Sequence, residues 1–260
     1  MDSVNKTLYI PLYGKACVSR RGLFLRDESA ERIWEKSGFP LKGKAKSRWL
    51  AYNMGMRAAV FDRWTAEKLK EAPDAAVLHL GCGLDGRVCR VAHPGHLWYD
   101  VDFPEVMEER RKFFPETETD RMLSGDLRQP DWLKGISGSA AIVVMEGLSM
   151  YLQMEELKQL LRNIGNRFDR VYLLTDTYTV FAARVTRYKN PINTVGVTQV
   201  CGFDDPEELT GGTGFRFVCQ HELTPDSLIA ELPERERRFF RTVFAGGLAK
   251  KIYRLYEYEA

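Results

Sequence analysis

The chain has 260 residues, of which 44% are hydrophobic and 28% are charged, and its formal net charge at pH 7 is +2. These values are typical of an ordinary globular protein with enough chain for a sizeable core. No stretch approaches about 18 uninterrupted apolar residues, so no membrane-spanning helix is expected, and the polar first residues lack the apolar core of a signal peptide. The five cysteines are dispersed without a C-x-x-C pair, which favours reduced thiols in the cytoplasm.

The charges are unevenly distributed along the chain. Residues 1–72 carry 15 lysines and arginines against 8 acidic residues, whereas the remaining 188 residues carry 23 against 28. A basic segment on an acidic body is expected either to be self-complementary or to attract an anionic substrate. The basic residues are dispersed and accompany no nucleic-acid motif, so nucleic acid is not an expected partner. The four histidines form no ligand set, so no metal is expected, and the oligomeric state stays open.

The first 72 residues are predicted to be largely helical. Residues 7–13 are apolar and aromatic, and Pro11 argues against a regular helix there. A short helix is expected over residues 27–36. Residues 44–72 carry apolar side chains at helical spacing and predict one long or broken helix that stops at Pro73.

A strand followed by a glycine turn begins at residue 75. The apolar run of residues 75–80 predicts a buried strand, and Gly81, Gly83 and Gly86 then match the nucleotide-binding pattern G-x-G-x-x-G. Glycine lets the backbone turn sharply and pass close to a ligand, because it has no Cβ atom. The pattern alone also fits a strand-to-helix turn that holds no ligand.

Strands and helices alternate from this turn to about residue 176. Further strands are predicted at residues 96–101, 120–124, 139–145 and 170–175. The alternation predicts parallel strands with helices on both faces of the sheet. An acidic residue lies at or just beyond the end of each strand: Asp85, Asp102, Asp126, Glu146 and Asp176. Ligands bind at this edge of open parallel sheets, so the middle three are expected to face a ligand and the outer two to cap helices.

The remainder of the chain is predicted to hold an irregular insertion and a closing pair of strands. Residues 187–212 are rich in glycine and form the insertion, with a short helix at 205–209. Residues 214–223 and 250–258 alternate as strands do, and two helices are expected between them.

A dinucleotide is one cofactor that would fit the glycine turn and Asp102, which lies 21 residues after Gly81. Three observations argue against a dinucleotide. The turn lies 80 residues into the chain, behind a basic helical segment, and the chain ends in a strand pair and not in a second domain. A further acid follows the third strand as Gly125-Asp126-Leu127, where the edge of an adenine would be recognised.

Four motifs in order resemble the leucine carboxyl methyltransferase family: Leu80-Gly81-Cys82-Gly83-Leu84-Asp85, Asp100-Val101-Asp102-Phe103-Pro104, Gly125-Asp126-Leu127-Arg128 and Glu146-Gly147-Leu148-Ser149-Met150-Tyr151-Leu152. Residues 7–14 resemble its bacterial branch, which includes polyketide-tailoring O-methyltransferases. The resemblance runs from about residue 7 to 176. It implies an α/β class I (Rossmann-like) methyltransferase fold: a mostly parallel seven-stranded sheet with helices on both faces, an antiparallel C-terminal strand and a helical N-terminal cap. Residues 1–72 would be the cap and lead-in segment, and residues 73–260 the core that binds S-adenosylmethionine.

The resemblance also implies roles for the residues of the first three motifs. Gly81 and Gly83 would pass under the amino-acid end of S-adenosylmethionine. Asp102 would accept hydrogen bonds from both ribose hydroxyls, since a carboxylate offers two acceptor oxygens. Asp126 and Leu127 would frame the adenine.

Further roles follow from the fourth motif and from the helix before the first strand. Glu146 would face the ammonium group of the cofactor, and Arg57 would pair with its carboxylate. Tyr151 is the candidate catalytic residue, placed to touch the acceptor. Gly86-Arg87 departs from the small polar residue that is commoner in the family, with little expected effect on binding. Four side chains belong to the segment that is expected to fold over the site: Tyr9, Tyr13, Arg20 and Arg21.

The implied activity is an S-adenosylmethionine-dependent O-methyltransferase acting on a small-molecule carboxylate or hydroxyl. A carboxylate needs no general base, whereas an alcohol or phenol does. His79 is expected to be a core histidine and His221 is remote from every motif, so no base is evident, and an acidic acceptor is favoured. Two alternatives stay open: a nicotinamide-dependent oxidoreductase, for which no hydride-acceptor site is evident, and a noncatalytic protein that binds the cofactor.

Overall fold

A seven-stranded sheet forms the centre of the protein. Its strands are β1 (Ala75–Leu80), β2 (Trp98–Asp102), β3 (Asp120–Ser124), β4 (Ala140–Met145), β5 (Arg170–Tyr178), β6 (Arg216–Gln220) and β7 (Tyr253–Glu259). The computed structural model describes residues 5–189, 192–193, 196–197, 199–247 and 251–260. The strand order is β3-β2-β1-β4-β5-β7-β6, in which the first five strands are parallel and β7 is antiparallel to both neighbours. The predicted fold class is therefore confirmed.

Helices cover both faces of the sheet. They are α1 (Tyr9–Arg20), α2 (Glu28–Ser37), α3 (Arg48–Glu71), α4 (Arg87–Arg90), α5 (Pro104–Arg111), α6 (Met154–Arg167), α7 (Val180–Lys189), α8 (Asp226–Ile229) and α9 (Glu234–Val243). On one face, α6 packs through residues such as Leu161 against Val143 of β4. On the other face, α3 packs through Phe61 and Trp64 against Ile142 of the same strand. Every residue of β1 and β4 is buried, as expected of central parallel strands that are covered on both sides.

The N-terminal segment is more helical than its sequence predicts. Residues 9–20 form α1, so the expectation that Pro11 prevents a helix is wrong. Pro11 is the third residue of that helix, where its missing N–H would have no partner within the helix anyway. Helix α2 begins after Asp27, whose carboxylate accepts from the N–H of Ala30 at 2.8 Å, and ends at Gly38 with φ 59°.

The end of β5 also differs from the prediction. The strand continues to Tyr178, so Asp176 lies inside it and does not cap a helix. Helix α7 follows directly and was not predicted. The predicted insertion at 187–212 lies partly outside the described residues, at positions 190–191, 194–195 and 198. Its short helix is present as a 3-10 turn at Pro206–Leu209, capped by Asp205.

Candidate active site

A cavity of about 690 Å³ opens at the carboxyl ends of β1, β2, β3 and β4. Eight residues that the sequence singled out all line it: Arg57, Gly81, Gly83, Asp102, Asp126, Leu127, Glu146 and Tyr151. Helices α1 and α3 close the other side through residues such as Leu12 and Met54. The structure thus brings together side chains that lie up to 94 positions apart, as the shared edge of a parallel sheet predicts.

The glycine turn has the conformation that its sequence predicts. Gly81 and Gly83 adopt φ values of 66° and 52°, a region that side-chain-bearing residues rarely enter. A Cβ atom on Gly81 would lie 3.1 Å from Leu148, another residue of the cavity wall. The backbone N–H of Gly83 donates to Asp102 at 2.8 Å, so the turn and the end of β2 hold each other in place.

Asp102 presents both carboxylate oxygens near the cavity. One oxygen accepts from the N–H of Gly83 and the other from the N–H of Phe103, each at 2.8 Å. Burial raises the pKa of Asp102, and the two backbone hydrogen bonds oppose this by favouring the ionised form. Each oxygen keeps a free lone pair, so the geometry fits the acceptance of hydrogen bonds from two hydroxyl groups.

The loop after β3 places a half-buried carboxylate beside an apolar wall. Leu127 is buried, whereas Asp126 is accessible and pairs with Arg128 at 2.6 Å. The hydrogen bond from Arg128 lowers the pKa of Asp126, which therefore stays ionised. An apolar surface next to a hydrogen-bond acceptor is suited to a flat heterocycle that carries an amino group.

Arg57 and Glu146 form a buried ion pair at the floor of the cavity. The Nε–H of Arg57 donates to Glu146 at 3.0 Å, and its Nη1 donates to Asp176 at 2.9 Å. Tyr253 donates its hydroxyl proton to the same oxygen of Asp176 at 2.7 Å. Burial alone would raise the pKa of Glu146, but Arg57 and Arg87 outweigh it and lower that pKa to about 2.

Arg87 is the centre of this charged floor, although its sequence motif predicts no role for it. Its side chain is fully buried. It donates to Glu146 at 2.5 Å and to Asp62 of α3 at 2.7 Å. His79 lies 3.2 Å from Arg87 and is held by Asp100 at 2.9 Å, which confirms that it is a paired core histidine.

Asp85 links the glycine turn to the N-terminal segment. It pairs with Lys15 of α1 at 3.0 Å and with Arg90 of α4 at 2.8 Å. Arg90 also pairs with Asp27, the residue that caps α2. Asp85 does not cap α4, because Gly86 occupies the cap position and no side chain bonds there, so the capping prediction is wrong.

The N-terminal segment covers the cavity, but with other side chains than expected. Thr7, Leu8, Ile10, Pro11 and Lys15 are among the lining residues. The four expected residues, Tyr9, Tyr13, Arg20 and Arg21, are not. Within the described residues, Tyr9 stacks on Phe39 and Tyr13 donates to a backbone carbonyl at residue 46. The two arginines bind acidic residues of α2 and α9. The helical register of α1 therefore turns Tyr9, Tyr13 and Arg20 away from the cavity, and Arg21 lies just beyond the end of the helix.

Comparison with known proteins shows the family to which the chain belongs. The sequence pattern of the leucine carboxyl methyltransferase family matches residues 11–165. The chain belongs to that family. This membership and the fold make it an S-adenosylmethionine-dependent methyltransferase, and favour methyl transfer over the alternative of hydride transfer.

Two relatives and two solved structures are similar over much of the chain. The tetracenomycin polyketide synthesis O-methyltransferase TcmP of Streptomyces glaucescens is 28% identical over 235 residues, covering 89% of this chain and 87% of its own. The methyltransferase dpfgK of Gibberella zeae is 27% identical over 64% of this chain and 61% of its own. A candidate methyltransferase from Thermobifida fusca superposes with a TM-score of 0.57 at 15% identity, over 95% and 92% of the two chains. Magnesium protoporphyrin IX methyltransferase from Synechocystis, solved with bound S-adenosylhomocysteine, gives 0.51 at 14%, over 89% and 94%. At such low identity the two structures show the shared fold alone.

The buried position of Arg87 leads to a stability prediction. Replacing Arg87 with Met keeps the apolar stem but leaves Glu146 and Asp62 short of a buried partner, so the free energy of unfolding should fall by roughly 3–5 kcal/mol. Arg170→Met is the matched control, because Arg170 pairs with Asp74 on the exposed surface, where such a pair contributes about 0–1 kcal/mol. Urea unfolding of the three proteins measures both effects. Equal losses in the two variants would contradict the structural role of Arg87.

Proposed function

We propose that the protein is an O-methyltransferase that transfers a methyl group from S-adenosylmethionine to the hydroxyl of an apolar small molecule. The observation that carries this proposal is the composition of the cavity at the strand ends. One part is built from the glycine turn and the acidic residues at the strand ends, and the other from apolar and tyrosine side chains. A carboxylate acceptor remains the second candidate, because no described histidine near the cavity is available as a base.

The residues at the strand ends fit the cofactor in shape and in charge. Gly81 and Gly83 leave room for a close backbone approach, and a Cβ on Gly81 would narrow it. Asp102 would hold the ribose hydroxyls, and Asp126 and Leu127 would contact the adenine. When bound, S-adenosylmethionine supplies a methyl group on a sulfonium, with a neutral leaving group.

The lining charges also favour a cationic ligand. Five carboxylates and three cations line the cavity: Asp85, Asp102, Glu105, Asp126 and Glu146, with Lys15, Arg57 and Arg128. The excess of negative charge attracts sulfonium and ammonium groups in a site of low dielectric constant. We infer that Glu146 faces the ammonium group. Arg57, which is already held by Glu146 and Asp176, would turn its remaining donors towards the cofactor carboxylate.

The cofactor site is tested most directly at Asp102. Replacing Asp102 with Ala removes a charged acceptor for hydroxyl groups, and S-adenosylhomocysteine should bind roughly tenfold to a hundredfold more weakly. Asp131→Ala is the control, because Asp131 is highly exposed and pairs with Lys134 outside the cavity. Isothermal titration calorimetry on proteins with matching circular dichroism measures the affinities. Unchanged affinity in the Asp102 variant would mean that the ribose lies elsewhere.

The acceptor part of the cavity is apolar. Leu50, Met54, Met150 and Ile252 line it, together with the rings of tyrosines that include Tyr151. Each described cation that lines the cavity has a carboxylate partner: Lys15 with Asp85, Arg57 with Glu146, and Arg128 with Asp126. A carboxylate acceptor would therefore enter without an unpaired protein cation, which is costly in a buried site. The paired cations therefore favour a neutral hydroxyl over the acidic acceptor expected from the sequence charge.

Tyr151 is suited to orient the acceptor and is unsuited to deprotonate it. Burial raises the pKa of Tyr151 to about 12, so its hydroxyl stays protonated at neutral pH. A protonated phenol donates a hydrogen bond and can hold an acceptor oxygen in line for the displacement, where positioning supplies much of the rate. Tyr151 would thus increase the rate by positioning the acceptor oxygen and not by removing its proton.

The acceptor proposal is tested with matched aromatic phenols and aromatic carboxylic acids. We expect methyl ethers as products. A Tyr151→Phe variant should have a kcat/KM about tenfold lower, because it loses one hydrogen bond to the acceptor. Its affinity for S-adenosylhomocysteine should be unchanged. Tyr13→Phe is the control, because the Tyr13 hydroxyl binds a backbone carbonyl outside the cavity. Mass spectrometry identifies the products.

Other outcomes of this experiment separate the alternatives. A methyl ester as the sole product would show that the acceptor group is a carboxylate and not a hydroxyl. Cofactor binding without turnover on any acceptor would favour the noncatalytic alternative. A copurified chromophore with nicotinamide absorbance would favour the oxidoreductase.

A further inference from the structure

Three side chains with metal-binding atoms meet at the edge of the sheet, outside the cavity. Cys219 lies on β6, His221 follows that strand, and Glu257 lies on β7. The Sγ atom of Cys219 lies 3.5 Å from Nε2 of His221 and 3.6 Å from Oε2 of Glu257. The same nitrogen and oxygen are 2.6 Å apart. This group is not recognisable in the sequence, because Glu257 lies 36 positions after His221.

A β-bulge brings the cysteine to the face of the glutamate. Phe217 is opposite Tyr258, and Cys219 is opposite Glu257, so Val218 is the extra residue of β6. In a regular ladder, residues 217 and 219 would project from the same face. The extra residue shifts Cys219 to the other face of the sheet, and His221 lies on that same face. The backbone N–H of His221 donates to the carbonyl of Leu255 at 2.8 Å. Bulges commonly redirect a side chain in this way at functional positions.

The spacing of the three atoms fits a tetrahedral ion of the size of Zn²⁺. With metal–sulfur bonds of about 2.3 Å and metal–nitrogen or metal–oxygen bonds of about 2.0–2.2 Å, tetrahedral angles place sulfur about 3.5–3.6 Å from the other two ligands. Both sulfur distances already have this value. The nitrogen–oxygen distance of 2.6 Å must open to about 3.4 Å, which requires rotations of the His221 and Glu257 side chains.

The surroundings leave one ligand position open and hold the carboxylate in place. Lys68 of α3 contacts the other oxygen of Glu257, Oε1, at 3.2 Å and also binds Glu71 at 2.9 Å. Oε2 is thereby left for a metal. Glu257 is buried, whereas the side chain of His221 is 29% exposed, so water can reach a fourth position. Three protein ligands with one open position are typical of zinc sites outside closed structural cages.

We propose that Cys219, His221 and Glu257 form a site for one divalent ion of the zinc class, separate from the cavity. The cysteine sulfur and the imidazole nitrogen exclude hard ions such as Mg²⁺, which prefer oxygen ligands. As the metal–sulfur bond forms, the thiol proton passes to solvent. The ion ties β6 to β7 two residues before Leu223, which lines the cavity.

Titration of the full chain with Co²⁺ and with Zn²⁺ tests this site. Cobalt reports on the cysteine directly, because a thiolate ligand produces a sulfur-to-cobalt charge-transfer absorption. We expect one equivalent of Co²⁺ to give this band, and one equivalent of Zn²⁺ to remove it. Zn²⁺ should also raise the melting temperature relative to protein in chelator. Absence of the band in the wild-type protein overturns the proposal.

Two variants and two controls assign the ligands. Cys219→Ser should abolish the band, and His221→Asn should weaken Zn²⁺ binding at least roughly tenfold. Cys89→Ser removes an exposed cysteine elsewhere, and His93→Asn removes a histidine that pairs with Asp120 at 2.8 Å, outside the proposed site. Both controls should bind as the wild type does. Melting in chelator checks that each variant folds, and a Zn²⁺-dependent shift that survives both Cys219→Ser and His221→Asn overturns the assignment.

Discussion

The rest of the site depends on the ion pairs of the buried Arg87 guanidinium. It lies between Glu146 at the end of β4, Asp62 on α3 and Asp85 in the glycine turn. Without it, carboxylates from three separate parts of the chain would face one another in a medium of low dielectric constant. Buried ion pairs of this kind contribute little to stability compared with an apolar core, but the loss of one partner is costly. The network therefore selects one arrangement of these parts over others.

The same network connects the N-terminal segment to the cavity floor. Lys15 reaches Asp85, and Asp27 reaches Arg90, so α1 and α2 are joined to the turn by charges as well as by apolar packing. Gly86 shows how close this contact is, because a Cβ atom there would overlap the hydroxyl of Ser29 at 1.9 Å. In the Gly86-Arg87 pair, the glycine thus leaves room for the side chain of Ser29 at the start of α2, and the arginine forms ion pairs with Asp62 and Glu146.

The alternation of strands and helices and the acids at the strand ends were predictable because both follow from local patterns, whereas the place of Arg57 in the site was implied by the family resemblance. A buried strand, a glycine turn and an acid at each strand end are visible in single stretches of sequence. The charge network was not predictable, because its partners are far apart: Arg57 and Asp176 are separated by 119 positions and Arg87 and Glu146 by 59. The sequence does not predict α1, because proline disfavours helices in general but is tolerated in the first turn, where Pro11 lies. The cluster at Cys219 depends on a β-bulge, and the pattern of apolar and polar residues in the sequence does not reveal the single extra residue.

The bulge at Val218 has a second consequence, for association between molecules. The outermost strands, β3 and β6, expose backbone groups that could pair with strands of other chains. Strand β6 has only five residues, is bent by the bulge and begins with the ion pair of Arg216 and Glu259. Strand β3 is equally short and begins with Asp120 and Arg121. Short strands, charged side chains and a local twist all oppose edge-to-edge addition, so both ends of the sheet are protected against growth into aggregates.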